Sequence, residues 1–578
     1  MKTSKYLLSI CAILLLCGSV FNVFSSISPE ITSDIGLLSK NENTDFTFNY
    51  IPVQEIMISS DEDLVSFASE GTGTEENPYI IKDYQINGQG VSYAIYITNV
   101  SKHFTIEHCR IVSTYGITIQ NLNGITINIS NNLIAQFDTF YPVEMLTGIQ
   151  INYCDNIIIS QNSIESYFRG IDLNYATNVF VSNNSILGRD GLKVLGAKFS
   201  GIRLRQTINC TILDNGFDKG GIDISSTYER IHTLIIDNNT VAGLKLGYIK
   251  NQTNLVVDNK EYGQIIIFDC INITVQNQVM LKTFYGISCF YSSNCTFSKN
   301  QIKSGSVGIL ETHCKNSTIT DNFLEENIYG IMLSNSLFSK VGNNIILNSS
   351  IHGIWSHYSS NITVDKNNIT YTNYASGIYD SGSNNTYENN ICNFNNIHGL
   401  YLYGVNNAKI IGNEFKHNGD SVIFARTTNL EISNNSICYS QKNGGIEVIN
   451  GVIGIIQNNL ILENKGYGAN LKTGTKHFVV SGNSFIKNEI PYLGTSQAED
   501  SGTNNFWYNP ETKLGNYWSN KGIKRKYAID GDANSFDLYP LKNPIVLPDE
   551  DYPLKTSISF TLFIFSLFIV YEVWKKRG

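Results

Sequence analysis

Short runs of alternating apolar and polar residues recur along almost the whole chain, and each is closed by Gly, Asn or Ser. The pairs Gly286-Ile287, Gly308-Ile309, Gly330-Ile331, Gly353-Ile354, Gly377-Ile378, Gly399-Leu400, Ser421-Val422, Gly445-Ile446 and Gly468-Ala469 follow one another at steps of 22–24 residues. Gly116, Gly148, Gly170, Gly201 and Gly221 extend the series upstream with wider gaps. A second beat runs beside it. Asn178, Asn209, Asn294, Asn316, Asn361, Asn384, Asn407 and Asn429 are each followed six residues later by another Asn. Period-2 alternation sends one set of side chains inward and the other to solvent. A repeat of this length with about three short strands is a solenoid coil. The pattern predicts an all-β, single-stranded, right-handed parallel β-helix of roughly 15 coils over residues 78–503. Strands of successive coils pair in parallel about 4.8 Å apart, and right-handed winding is the default for parallel crossovers.

The Asn beat changes how one triplet reads. Asn316-Ser317-Thr318 is an N-glycosylation acceptor by sequence. As a repeat position, Asn316 is expected to stack in a turn, buried, bonded to the Asn of neighbouring coils, with Ser317 and Ile319 inward and Thr318 outward. A buried Asn is a poor acceptor. The triplets at Asn251 and Asn348 lie off the beat and are better ones.

The ends and the composition add boundaries. Lys2 and Lys5, then the apolar run from Tyr6 to Leu16, read as a signal peptide over 1–28, followed by a linker at 29–54. A cap over 55–77 opens with Ser60 and Asp63, a capping-box variant starting a short helix. An insertion falls near 240–262. A C-terminal aromatic cap at 504–545 offers Trp507, Tyr508, Tyr517, Trp518 and Phe536 to cover the last coil. After a juxtamembrane linker at 546–556, the apolar run 557–574 is long enough for a transmembrane helix, and Lys575, Lys576 and Arg577 fit a cytoplasmic tail. Those ends place the solenoid outside the cell, anchored in the membrane. The formal net charge is −9 with no basic cluster before the tail, which excludes nucleic acid as a partner. The cysteines recur at repeat positions and read as inward packing; the oligomeric state is left open.

Candidate chemistry sits on the outward residue after each Gly-Ile pair. In chain order these are Gln150, Asp172, Arg203, Asp223, Ser288, Leu310, Met332, Trp355, Tyr379, Tyr401, Ile423, Glu447 and Asn470. Asp172, Arg203 and Asp223 form one patch. They could be an acid/base pair for glycosidic cleavage, a Ca²⁺ and uronate site, or a charge ladder holding coils in register. Trp355, Tyr379 and Tyr401, supported by His357 and Tyr403, form the other, a flat aromatic strip suited to sugar rings. Asp530, Asp532, Asn534 and Asp537 make a weak oxygen-rich Ca²⁺ candidate. Met57, Met145, Met280 and Met332 are scattered, which disfavours copper.

Three stretches carry a family likeness: "GTGTEENPYIIKDYQING" (71–88), "TVAGLKLGYIKNQTNLVVDNKEYGQIIIFDCINITVQNQ" (240–278) and "NNFWYNPETKLGNYWSN" (504–520) with its continuation to 541. They resemble the first coil, the mid-solenoid insertion and the C-terminal cap of NosD-type right-handed β-helix proteins, also called carbohydrate-binding and sugar-hydrolase repeat proteins. The resemblance implies the fold over about 55–541. It leaves function open between glycan binding at the cell surface, polysaccharide lyase or hydrolase activity, and a metal-handling accessory role. His352-Gly353 and His398-Gly399 resemble the His-Gly of β-helix pectin hydrolases, but that group's Asp-Asp and Arg-Ile-Lys elements have no match, so no catalytic role transfers. The sequence favours the binding reading.

Overall fold

The computed structural model describes residues 50–544 except 89, 137–145, 166–167, 189–198, 259–260, 422, 490–493 and 523–524. The signal peptide, most of the 29–54 linker, the juxtamembrane linker, the transmembrane helix and the basic tail lie outside the described residues. Among the described residues no helix is long and apolar enough to cross a membrane.

The chain is a right-handed β-solenoid of about 17 turns, two more than the period alone suggests. The expected alternation holds: strand Tyr329–Ser334 buries Ile331 and Leu333 and turns Met332 outward. The recurrent glycines have a packing cause. A Cβ on Gly308 would lie 2.6 Å from the carbonyl oxygen of Gly330, so successive coils close up only where no side chain intervenes.

The Asn beat is correct in period but exchanged in role. Asn178, Asn209, Asn294, Asn316, Asn384, Asn407 and Asn429 are exposed and Asn361 is half-exposed. All eight have φ between 51° and 58°, the left-handed bend that Asn tolerates better than most residues. Some do link across coils on the surface, as in Asn209 to Asn178 at 3.1 Å and Asn429 to Asn407 at 2.8 Å. The buried ladder is the second Asn of each pair. Asn322 donates to Asn344 Oδ1 at 2.9 Å, to the Phe297 carbonyl at 2.9 Å and to the Thr320 carbonyl at 3.0 Å. Its own Oδ1 accepts from the backbone and side chain of Asn300, each at 3.0 Å. Burial therefore gives no protection to Asn316 as an acceptor, although Ser317 and Ile319 are buried and Thr318 faces outward as expected.

The solenoid has two hydrophobic cores along its length. There are two stacks, each with its own core. The first core runs from Ile56 to Leu246, and the second from Val257 to Ile529. The supposed insertion is the joint. Thr240–Val241 pairs antiparallel with Leu244–Lys250 across Ala242 and Gly243, both at positive φ, and Leu244–Lys250 then pairs in parallel with Tyr262–Phe268 to open the second stack. The Asn ladder breaks at the same place. It runs Asn132–Asn162–Asn184–Asn215–Asn239 in the first stack. In the second it restarts at Gln278, whose Oε1 has no hydrogen-bond partner.

Outward residues of the second stack close the open end of the first: Ile266, Phe268, Phe290, Val307 and Leu310 belong to the first core. Gln264 pins Ile222–Ser225, the last post-glycine strand of the first stack, by accepting from Ile222 N at 2.9 Å and donating to Ile222 O at 2.7 Å.

Both other ends are covered. Helix Asp61–Phe67 starts at Ser60, whose hydroxyl accepts from Asp63 N at 3.1 Å, while the Asp63 carboxylate accepts from Ser59 N at 2.9 Å. At the C-terminal end Trp507 and Trp518 are buried, with Trp518 stacked between Phe485 and Tyr527 at 4.3 and 4.1 Å. Phe536 is exposed instead of covering the coil, and Lys526 lies over its ring. The nine described cysteines are free and buried, as inward packing requires.

Candidate functional site

The sheet that carries the post-glycine strands presents one outer column along each stack. In the first stack the register aligns Gln150, Asp172, Arg203 and Asp223 on consecutive coils. Asp172 is fully buried and receives a two-pronged bond from Arg203, Nε to Oδ1 and Nη2 to Oδ2, both 2.8 Å. Arg203 also donates to Asn174 at 3.2 Å, and Arg169 approaches Asp172 at 3.7 Å. Asp223 sits at the joint. Burial raises its carboxyl to about 6 against the pull of Arg203, and the Tyr285 hydroxyl of the second stack bonds to it. Asp172 and Arg203 are thus bonded to each other across adjacent coils, and Asp223 is 7% exposed. The three side chains stand on adjacent coils, with Arg203 bonded to Asp172 and Asp223 next in register at the joint.

In the second stack the same column has three zones. Ser288 and Leu310 lie buried at the joint, and Met332 packs against the first core. Trp355, Tyr379, Tyr401 and Phe424 follow. Glu447, Asn470 and Glu499 complete it. Phe424, not Ile423, is the outward residue after Tyr401. Ile423 pairs with inward Leu400 and is fully buried. Equating Ser421-Val422 with Gly-Ile put the sequence reading one residue out of register, which exchanges the two faces of a strand.

The aromatic residues gather, but not as a flat strip. Tyr379 stacks on Tyr401 at 5.2 Å and 9°, and Tyr401 on Phe424 at 4.7 Å and 3°. Trp355 stacks instead on Tyr329, at 5.0 Å and 25°. Coil spacing of about 4.8 Å is narrower than a ring, so near-parallel rings on successive coils must overlap like shingles. All five rings are half-buried. His352 bridges the two runs, 6.1 Å from Tyr329 and 5.1 Å from Tyr379. Burial holds the His352 ring down at about 4, so it is neutral at physiological pH. His398 packs on Tyr401 and Phe424 at 5.1 and 5.3 Å, and Arg426 lies over Tyr403 and Phe424 at 5.5 and 5.8 Å. His357 stays beside Trp355 at 5.6 Å and Ser381 Oγ at 3.2 Å. Tyr329, Phe424 and Arg426 are members absent from the sequence reading, which noted His352 and His398 only as His-Gly pairs. Tyr329, His352 and His398 immediately precede a glycine of the period, which was the available signal.

The C-terminal Ca²⁺ candidate does not assemble. The Asp530 carboxylate is taken by Thr495 and Ser496 backbone N–H groups at 2.8 and 3.0 Å, and the Asp537 carboxylate by Asn516 N and Trp518 Nε1 at 2.7 and 2.9 Å. Asp532 and Asn534 are exposed. These carboxylates hold the cap together.

Comparison with known families matches the right-handed β-helix region over residues 93–279 and 373–509. The family described as periplasmic copper-binding protein (NosD) matches residues 248–397. No curated protein matches. Similar solved structures include the A-module of mannuronan C-5 epimerase AlgE6 from Azotobacter vinelandii, at 13% identity over 57% of this chain and 88% of that one, with a TM-score of 0.37. The periplasmic alginate epimerase AlgG is 12% identical over 78% of this chain and 84% of its own, TM-score 0.30. PfbA, a surface adhesin of Streptococcus pneumoniae, is 11% identical over 60% of this chain and 86% of its own, TM-score 0.26. These likenesses concern the fold alone.

Among the described residues the side chains do not fit a copper centre. Met57 is exposed on the first stack, Met280 is buried in the second core, Met332 lies on the outer column, and Met145 is outside the described residues. Among the described residues no three His, Cys, Asp or Glu lie close enough together to hold a metal ion. Coil period, Gly column, Asn ladder and family match agree, and the chain belongs to the right-handed parallel β-helix family.

Proposed function

We propose that this protein binds a polysaccharide or surface glycan along the outer column of its second stack. The observation that carries this reading is the aromatic run Tyr329–Trp355 and Tyr379–Tyr401–Phe424, half-buried and bordered by His352, His398 and Arg426. Shingled rings offer apolar margins to the C–H faces of sugars, and tyrosine hydroxyls on successive coils offer repeated hydrogen bonds. A repeating ligand suits a repeating surface. In this reading the protein is exported, and residues 557–578 hold it at the membrane with the solenoid outside. Removing 557–578 should then release it from the membrane fraction.

On a glycan array the purified protein should retain a subset of polysaccharides without shortening them. Tyr379→Ala and Tyr401→Ala should each weaken retention by about three- to tenfold, the scale of one aromatic contact. Unchanged retention in both variants would remove the strip from the binding surface.

A second reading, polysaccharide lyase or hydrolase, draws on Asp223, whose carboxyl titrates near 6 beside Arg203 and Tyr285 while Asp172 stays ion-paired. Two carboxylates in such different surroundings can divide acid and base roles. Release of new chain ends from any polysaccharide, lost in Asp223→Asn, would establish it over binding alone.

A further inference from the structure

The outer column continues past the rings into a polar cluster that the aromatic reading does not use. Asn470 stands between Glu447 and Glu499 on adjacent coils. It occupies an outward position yet is only 6% exposed, and its Oδ1 has no hydrogen-bond partner. A buried acceptor left unpaired costs about 1–3 kcal/mol, so the position calls for a donor.

The surroundings say which kind. Asp420, Arg426, Lys472 and Glu499 are the charged groups that act on Glu447, from the coils on either side of it. Three carboxylates against two cations leave an excess of one negative charge. Most of these groups are engaged. Asp420 accepts from Ser421 N at 2.8 Å and from Asn443. Lys472 Nζ lies 3.5 Å from Glu499 Oε2, and Ser501 Oγ donates to Glu499 Oε1 at 3.3 Å. Glu447 makes no direct hydrogen bond or ion pair among the described residues. Its carboxyl is held above the usual range by burial first, and by Asp420 and Glu499 against Lys472 and Arg426.

An unpartnered carboxylate beside an unpartnered amide oxygen asks for a group with several donors and a positive charge. A metal ion does not suit it, because these acids do not converge as a ligand set among the described residues. A sugar hydroxyl would pair Asn470 but leave the charge of Glu447 uncompensated. A ring ammonium supplies three donors and the charge together.

We infer that the cluster around Asn470 is a subsite for the ammonium-bearing ring of an amino sugar, at the end of the glycan that lies along the aromatic rungs. This rests on the glycan-binding reading above. Because the bound cation favours the ionised form of Glu447, binding draws a proton from that carboxyl. Affinity therefore rises with pH through the Glu447 titration.

The test compares a glucosamine oligomer with an N-acetylglucosamine oligomer of equal length, titrated calorimetrically against the full chain. The glucosamine oligomer should bind about tenfold tighter, the size of one charge-assisted hydrogen bond. The advantage should grow as pH rises through the Glu447 titration, for as long as the amine of the ligand stays protonated. In Glu447→Gln and Asn470→Ala the difference between the two oligomers should collapse, with thermal unfolding of the Glu447→Gln protein at or above that of the parent. Equal binding of both oligomers, still weakened by Tyr401→Ala, would overturn the subsite and leave the glycan reading standing. An advantage that survives Glu447→Gln, or is matched by a linear polyamine, would reduce it to general attraction by an acidic protein. Failure of every glycan to bind would remove both.

Discussion

At the residue scale, two populations of Asn do different physical work. The exposed set accepts a left-handed backbone; the buried set closes hydrogen bonds that no other side chain of its size could close on three sides. Asn322→Ala leaves the Asn300 backbone N–H without its acceptor and takes a donor from the Phe297 carbonyl and from Asn344 Oδ1, all in the core. It should cost at least 1–3 kcal/mol, about the price of one orphaned group, and lower the unfolding temperature measurably. Asn316→Gly, at an exposed bend, should change it little. Equal effects would mean the ladder is not what the hydrogen bonds say.

Glu311 is a second residue with a clear sign. It lies inside the second core between Cys289 and Leu333, fully buried. Oε2 accepts from Ser339 at 3.0 Å and Oε1 has no partner. Burial raises its carboxyl from 4.5 to about 7. The folded chain therefore holds this proton more tightly than the unfolded chain. The contribution to stability is complete below about pH 4.5 and is lost as pH rises to about 7, a change of about 3 kcal/mol. Glu311→Gln should resemble the parent near pH 4 and unfold at a higher temperature near pH 8. Parallel curves across that range would refute the assignment.

At the element scale, strands are held in register by what repeats directly above and below. Asp172 and Arg203 are such a pair. Asp172→Ala leaves Arg203 and Arg169 facing each other in a partly buried place and should cost about 3 kcal/mol, as breaking a buried pair does. Asp172→Leu with Arg203→Met should recover much of it, read by denaturant unfolding. The slip at Val422 shows the limit of reading elements one by one. The glycine of the period is missing here, the alternation through Ile423 and Phe424 permits either phase, and only pairing of Ile423 with Leu400 selects one.

At the scale of the molecule, the joint decides which surface is free. Leu310 and Trp355 occupy the same outer column, two coils apart, yet one is sealed in the first core and the other borders solvent. Leu310→Asp should therefore loosen the first stack although it lies in the second. Hydrogen exchange should quicken in Ile222–Ser225 and its neighbours while strands beyond residue 400 keep their protection. Uniform loosening of both stacks would argue that the solenoid unfolds as one unit.

The period of 22–24 residues, the inward Ile and Val positions, the close-packed Gly column and the two caps were legible in the chain by itself, because each coil touches only the coils beside it and a local pattern specifies a local contact. The candidate surface was legible in part: Trp355, Tyr379 and Tyr401 stood out as repeated outward aromatics. Which Asn of each pair is buried, that the rings must shingle, that the solenoid is two stacks, and that Asp223 meets Tyr285 depended on the tertiary structure. These follow from contacts between segments tens of residues apart, and from a coil spacing narrower than an aromatic ring, neither of which a repeat records in its own letters.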